Sequence, residues 1–146
     1  MLIIPLLSIA LFADAPKVAP DKAALAKLQG KWQPSREEHG GKSAPAKDLV
    51  GQSLEVNGVR FVARDGDEVK EEAKIASLDP KAEPALIDME ITKGDGKGKT
   101  LAGIWKLEGG KLSICVAEPG KARPTAFAGK EGTGHTLLVF ERGKKK

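Results

Sequence analysis

Cysteine occurs once, at Cys115, so no disulfide can form within the chain and the fold must stand on packing alone. The two histidines, His39 and His135, have no other His or Cys at metal-ligand spacing, which removes the usual zinc patterns. No apolar run reaches the roughly 20 residues that a membrane-spanning helix needs. Long stretches of helical periodicity are also missing, and with them the case for a βαβ fold. What remains is a chain of 146 residues, 40% hydrophobic and 30% charged, sized for one domain with a core and a well-solvated surface. Its 17 glycines and 9 prolines are scattered, as many short elements joined by tight turns require.

The first residues differ from the rest. Leu2 to Phe12 is apolar apart from Ser8, is interrupted by Pro5, and leads to the small-residue site Ala13-Asp14-Ala15. Residues 1–15 are therefore expected to be a secretory signal peptide, atypical in having no Lys or Arg before the apolar run and in Pro16 directly after the cut, and the mature chain to be secreted or periplasmic. No Cys stands near this leader to take a lipid anchor. Losing it removes Asp14 and no base, which moves the formal charge from +4 to +5. Residues 16–20 read as a linker, 21–142 as the folded domain and 143–146 as a basic tail, which is expected to be a solvated end and not a nucleic-acid-binding element.

Asp21 can cap a short helix that Gly30 ends, with Leu25 and Leu28 on one face, suited to close one end of a barrel. From Lys31 onward apolar and polar residues alternate, and turn signals divide the chain into about eight strands, near 31–38, 52–57, 59–64, 68–77, 85–92, 100–107, 111–117 and 135–142. An all-β antiparallel up-and-down barrel follows, since closure removes the exposed edges of such a meander.

Two turns set the register. Asn57-Gly58 predicts a hairpin loop that puts Val56 and Val59 on one face with Leu54, Phe61 and Ala63, and Gly109-Gly110 pairs Glu108 with Lys111 and Leu107 with Leu112. The second turn places Leu101, Trp105, Leu107, Leu112, Ile114 and Val116 on the inner face, and turns Ile104 and Cys115 outward against the helix, a loop or a partner. Val69, Ala73 and Ile75 share a face, and so do Ile87, Met89 and Ile91. Glu71 falls on the apolar side of its strand, at the barrel mouth or beside a bulge. Pro34 inside the first strand predicts an edge, bulge or bend. The stretch from Ala117 to Gly134, with Pro119, Pro124 and several glycines, is expected to lie as a lid over one mouth.

Leu28-Gln29-Gly30-Lys31-Trp32 carries Gly-x-Trp at the start of the first strand, and Arg142 closes the last. This resembles the lipocalins, in which such a tryptophan is covered by such an arginine at the closed end; the resemblance gives Gly30, Trp32 and Arg142 the role of barrel closure. With Gly98-Lys99-Thr100-Leu101-Ala102-Gly103-Ile104-Trp105, Arg123-Pro124-Thr125-Ala126-Phe127 and the glycine-rich approach to Leu137–Arg142, the chain is similar over roughly residues 25 to 142 to a lipocalin-like family of uncharacterised proteins abundant in planctomycete bacteria. That family brings no established activity.

Residues that carry chemistry are sparse. Gly94 to Thr100 resembles a phosphate loop but is one residue short, with Lys93 where glycine is needed and a strand where a helix should follow. Cys115 has no base beside it, and serines 35, 43, 53, 77 and 113 stand in no nucleophile context. His39 and His135 read as structural or surface residues, with His135 a minor candidate for holding haem from a barrel mouth. Glu71, Asp88 and Glu90 are the carboxylates that cross-strand pairing can bring together, and nothing marks them as catalytic. The expectation is a protein that is not an enzyme, with no metal and no cofactor. It would bind a small apolar or amphipathic molecule among Phe61, Ile75, Met89, Trp105 and Ile114. The alternatives are a scaffold contacting another envelope protein through its outer face or tail, and a hydrolase with an unrecognised site.

Overall fold

The structure, a computed structural model, describes residues 19–142. The expected leader, most of the linker and the basic tail lie outside the described residues. Helix α1 (Lys22–Leu28) starts where the Ala24 N–H donates to the Asp21 carboxylate at 2.9 Å, a side-chain N-cap. The Asp21 N–H donates to the Leu78 carbonyl, tying the helix to the barrel, and the helix buries Ala24 and Leu28 in the core. Gly30, at a φ of 112° that side-chain-bearing residues avoid, turns the chain into the first strand.

Among the described residues nine strands follow: β1 (Gly30–His39), β2 (Lys42–Ser43), β3 (Gln52–Asn57), β4 (Arg60–Asp65), β5 (Glu68–Asp79), β6 (Ala85–Lys93), β7 (Thr100–Glu108), β8 (Lys111–Ala117) and β9 (His135–Arg142). Each of β3 to β8 pairs antiparallel with the next, and β1 pairs with both β3 and β9, so eight strands close a barrel. The ninth, β2, is a two-residue stub on the end of β1. The all-β antiparallel up-and-down barrel expected from the alternation is the fold observed. A single-turn helix α2 (Ala46–Leu49), not anticipated, lies in the β2–β3 connection.

Register matches expectation at one turn and departs at the other. Glu108 pairs with Lys111 and Leu107 with Leu112, and both Gly109 and Gly110 have positive φ. In the first hairpin, however, Asn57 pairs with Arg60, so the loop is Gly58-Val59 and not Asn57-Gly58. The register moves by two residues, which keeps Leu54, Val56, Phe61 and Ala63 on one face. The reason is tertiary: Gln29, just past α1, donates from Nε2 to the Gly58 carbonyl at 2.9 Å and accepts from the Gly58 N–H at 2.7 Å. Both backbone groups of Gly58 are thereby engaged outside the ladder.

Pro34 marks where β1 parts from β3, since pairing between them stops at Trp32–Leu54. Against β9, a register shift between Pro34 and Arg36 leaves Ser35 as an extra residue, so the strand bulges there. A second shift, between Ala63 and Arg64, leaves Lys70 unpaired on β5 and takes Val69 off the face it was expected to share with Ala73 and Ile75.

The interior is one apolar cluster that includes Leu28, Trp32, Leu54, Val56, Ile75, Leu78, Ile87, Met89, Leu112, Ile114 and Phe140. Burying each such large side chain contributes about 1.5–3 kcal/mol, which is how the barrel stands without a disulfide. At the closed end the Trp32 indole N–H donates to the Leu28 carbonyl at 2.9 Å, and the Arg142 guanidinium lies over the Trp32 ring, 3.9 Å from its centre.

The segment 118–134 is not the lid that was expected. It runs as a strap over the outer face of β6 to β9. There Leu86, Ile104, Cys115 and Leu137 form one row across four strands, and the last three form a second buried cluster against which Leu86 and Phe127 pack. Arg123 fixes the strap by donating to the Gly103 carbonyl at 2.8 Å and the Ile87 carbonyl at 3.2 Å while pairing with Asp88 at 2.8 Å. The Gly129 N–H donates to the Glu38 carboxylate at 2.8 Å.

Candidate functional site

The end of the barrel opposite α1 is formed by the turns after β1, β4, β6 and β8. It opens into a cavity of about 370 Å³. Leu54, Phe61, Ala63, Leu138 and Phe140, from β3, β4 and β9, give it an apolar floor, and Pro34 stands beside them where β1 and β3 separate. Its charged wall comes from Glu37, Asp65 and Glu71 on one side of the ledger and Arg64 and Lys70 on the other.

Glu37 reaches the cavity because of the Ser35 bulge. In an unbroken strand Trp32, Pro34, Arg36 and Glu38 would share a face; the extra residue makes Glu37 the partner of Leu138 and sends Glu38 outward to the strap. Glu71, the partner of Ala63, continues the inward face of Ala73 and Ile75, and it lies both in the mouth and beside the Lys70 bulge. Burial, and then the charge of Asp95, raise its pKa above the ordinary carboxylate value. Asp95 is carried there by the β6–β7 turn, which packs so closely on β5 that a Cβ at Gly94 would stand 2.9 Å from the Lys70 carbonyl oxygen.

The expected ligand residues are distributed, not gathered. Phe61 lines the mouth. Ile75, Met89 and Ile114 are packed in the core cluster and border neither large hollow. Trp105 sits near the opposite end, where its indole N–H donates to the Leu86 carbonyl at 3.1 Å; it borders a separate hollow of about 400 Å³ beside α1, with Lys27, Glu83 and Phe127. The mouth residues that strand alternation did not single out are Glu37, hidden by the bulge, Asp65 at a turn, and Leu138 and Phe140, whose spacing in the last strand was the available signal.

The other chemical candidates do not converge. In the β6–β7 turn the Lys97, Gly98 and Lys99 N–H groups donate to the Gly94, Ile91 and Gly96 carbonyls, so these three amides are already engaged. Asp88 faces the strap through Arg123, Glu90 is exposed and Glu71 is in the mouth. His39 contacts Thr136 Oγ1 through Nδ1 at 2.8 Å, and His135 contacts the Ala122 carbonyl through Nε2 at 2.9 Å. Among the described residues no group of three or more His, Cys, Asp or Glu side chains is placed to hold a metal. Cys115 is fully buried under the strap, where burial raises its thiol pKa.

No protein-family model, curated protein or solved structure matches this chain.

Proposed function

We propose that this chain is an exported, non-catalytic lipocalin-like binding protein that takes a small amphipathic molecule into the open mouth of its barrel. The observation that carries the reading is the 370 Å³ cavity with apolar floor and charged wall, within the usual size of small-molecule sites. The Trp32–Arg142 stack at the other end supports the lipocalin-like part of this reading. The scaffold alternative called for an apolar outer patch around Ile104 and Cys115, and the strap buries both.

Native mass spectrometry of the protein purified from its own source tests the reading. A co-purifying small molecule is expected on the native chain and absent from an Ala63→Trp variant, whose indole fills the mouth. A bare native chain that also takes up no added fatty alcohol, amine or acid would overturn it.

A further inference from the structure

The charge in the mouth is unevenly partnered. Arg64 is engaged by Glu55 at 2.8 Å and Lys70 by Glu68 at 3.3 Å, and neither of these acids borders the cavity. Glu37, Asp65 and Glu71 border it, and among the described residues none of the three makes an ion pair with a Lys, Arg or His. The formal charge of the chain is +4, so carboxylates left without cation partners around an apolar hollow run against its overall balance.

We propose that the molecule held in the mouth is a small amphiphile with a cationic head, an alkylammonium or a similar amine, whose tail lies on Phe61, Leu138 and Phe140 and whose head meets Glu71 and Glu37. This rests on the mouth being a ligand site, and it adds the charge of the ligand. A carboxylate beside an apolar wall, and close to a second acid, is relieved on both counts by an ammonium placed between it and solvent. A fatty acid in the same place would add a further negative charge to a wall that already holds three carboxylates. Asp95, brought against β5 by the close approach of Gly94, strengthens the same preference, since it faces Glu71 without itself bordering the cavity.

Calorimetric titration of the protein with octylamine, octanol and octanoate at pH 8 tests this, because the three share one tail and differ in head charge. Octylammonium is expected to bind roughly tenfold more tightly than octanol, and octanoate more weakly than either. Glu71→Gln should remove most of the preference for the amine over octanol, with an unchanged far-ultraviolet circular dichroism spectrum showing that the variant is folded. Asp95→Asn should remove a smaller part of it. Equal binding of all three probes, or an amine preference untouched by Glu71→Gln, would overturn the cationic ligand while leaving the mouth a ligand site. Binding of none would overturn the site itself.

Discussion

The Arg142 guanidinium stacks on the Trp32 ring at 3.9 Å and at the same time donates to the Gln29 and Lys27 carbonyls, the latter at 2.7 Å. One side chain thus covers the indole at the closed end, accepts the load of the open carbonyls at the end of α1, and joins the last residue of β9 to the first strand. Arg142→Ala is expected to lower stability by about 1–3 kcal/mol in urea denaturation, from the lost stack and two hydrogen bonds. Arg142→Lys keeps the charge but not the planar fork, and should recover less than half of that loss.

Glu71 predicts the pH response of stability. Its pKa is raised in the folded chain, so the native state binds this proton more tightly than the unfolded state does, and the carboxyl favours folding most at low pH. That contribution is lost as pH rises through the folded pKa, where the ionised group faces burial and Asp95, with Glu37 and Asp65 lining the same mouth. Glu71→Gln should therefore raise the melting temperature at pH 7 by about 1–3 °C. The gain should shrink toward zero below the ordinary value of 4.5. A constant gain across that range in thermal melts would contradict the assignment.

Arg123 is expected to hold the strap. Removing it in Arg123→Ala frees the Gly103 and Ile87 carbonyls and leaves Asp88 without its cation. Limited proteolysis should then cut within residues 118–134 at least tenfold faster than in the native chain, while far-ultraviolet circular dichroism of the barrel stays unchanged. Cutting first in a barrel strand would show that the strap is held elsewhere.

Cys115 should be silent in the native chain. Its thiol is fully buried, its pKa is raised chiefly by burial, and its sulfur sits 3.5 Å from the Ala128 carbonyl oxygen. A thiol-reactive dye is expected to label it only after unfolding, and Arg123→Ala should bring labelling forward if the strap is what shields it.

Strand alternation and hairpin glycines made the barrel readable, because inward-facing residues recur every second position whatever the rest of the chain does. Leu107, Leu112 and Ile114 lie where the Gly109-Gly110 turn puts them, and Glu71 stood out as an acid on an apolar face. The mouth was less readable. Phe61 borders the cavity, whereas Ile75, Met89 and Ile114 belong to the packed interior, because alternation tells which face a residue takes and not how far along the barrel the interior stays filled.

Local pattern alone therefore determined the fold class, the helix at Asp21 and most of the inward faces, while the closing pair Trp32 and Arg142 came from the resemblance to lipocalins. Tertiary contacts decided the rest. Gln29 chose Gly58-Val59 as the hairpin loop. The Ser35 bulge sent Glu37 into the mouth. Glu38 and Gly129, 91 residues apart, laid the strap on the outer face instead of over the mouth. A period of two survives in sequence until a single inserted residue reverses it, and where that happens is set by partners far along the chain.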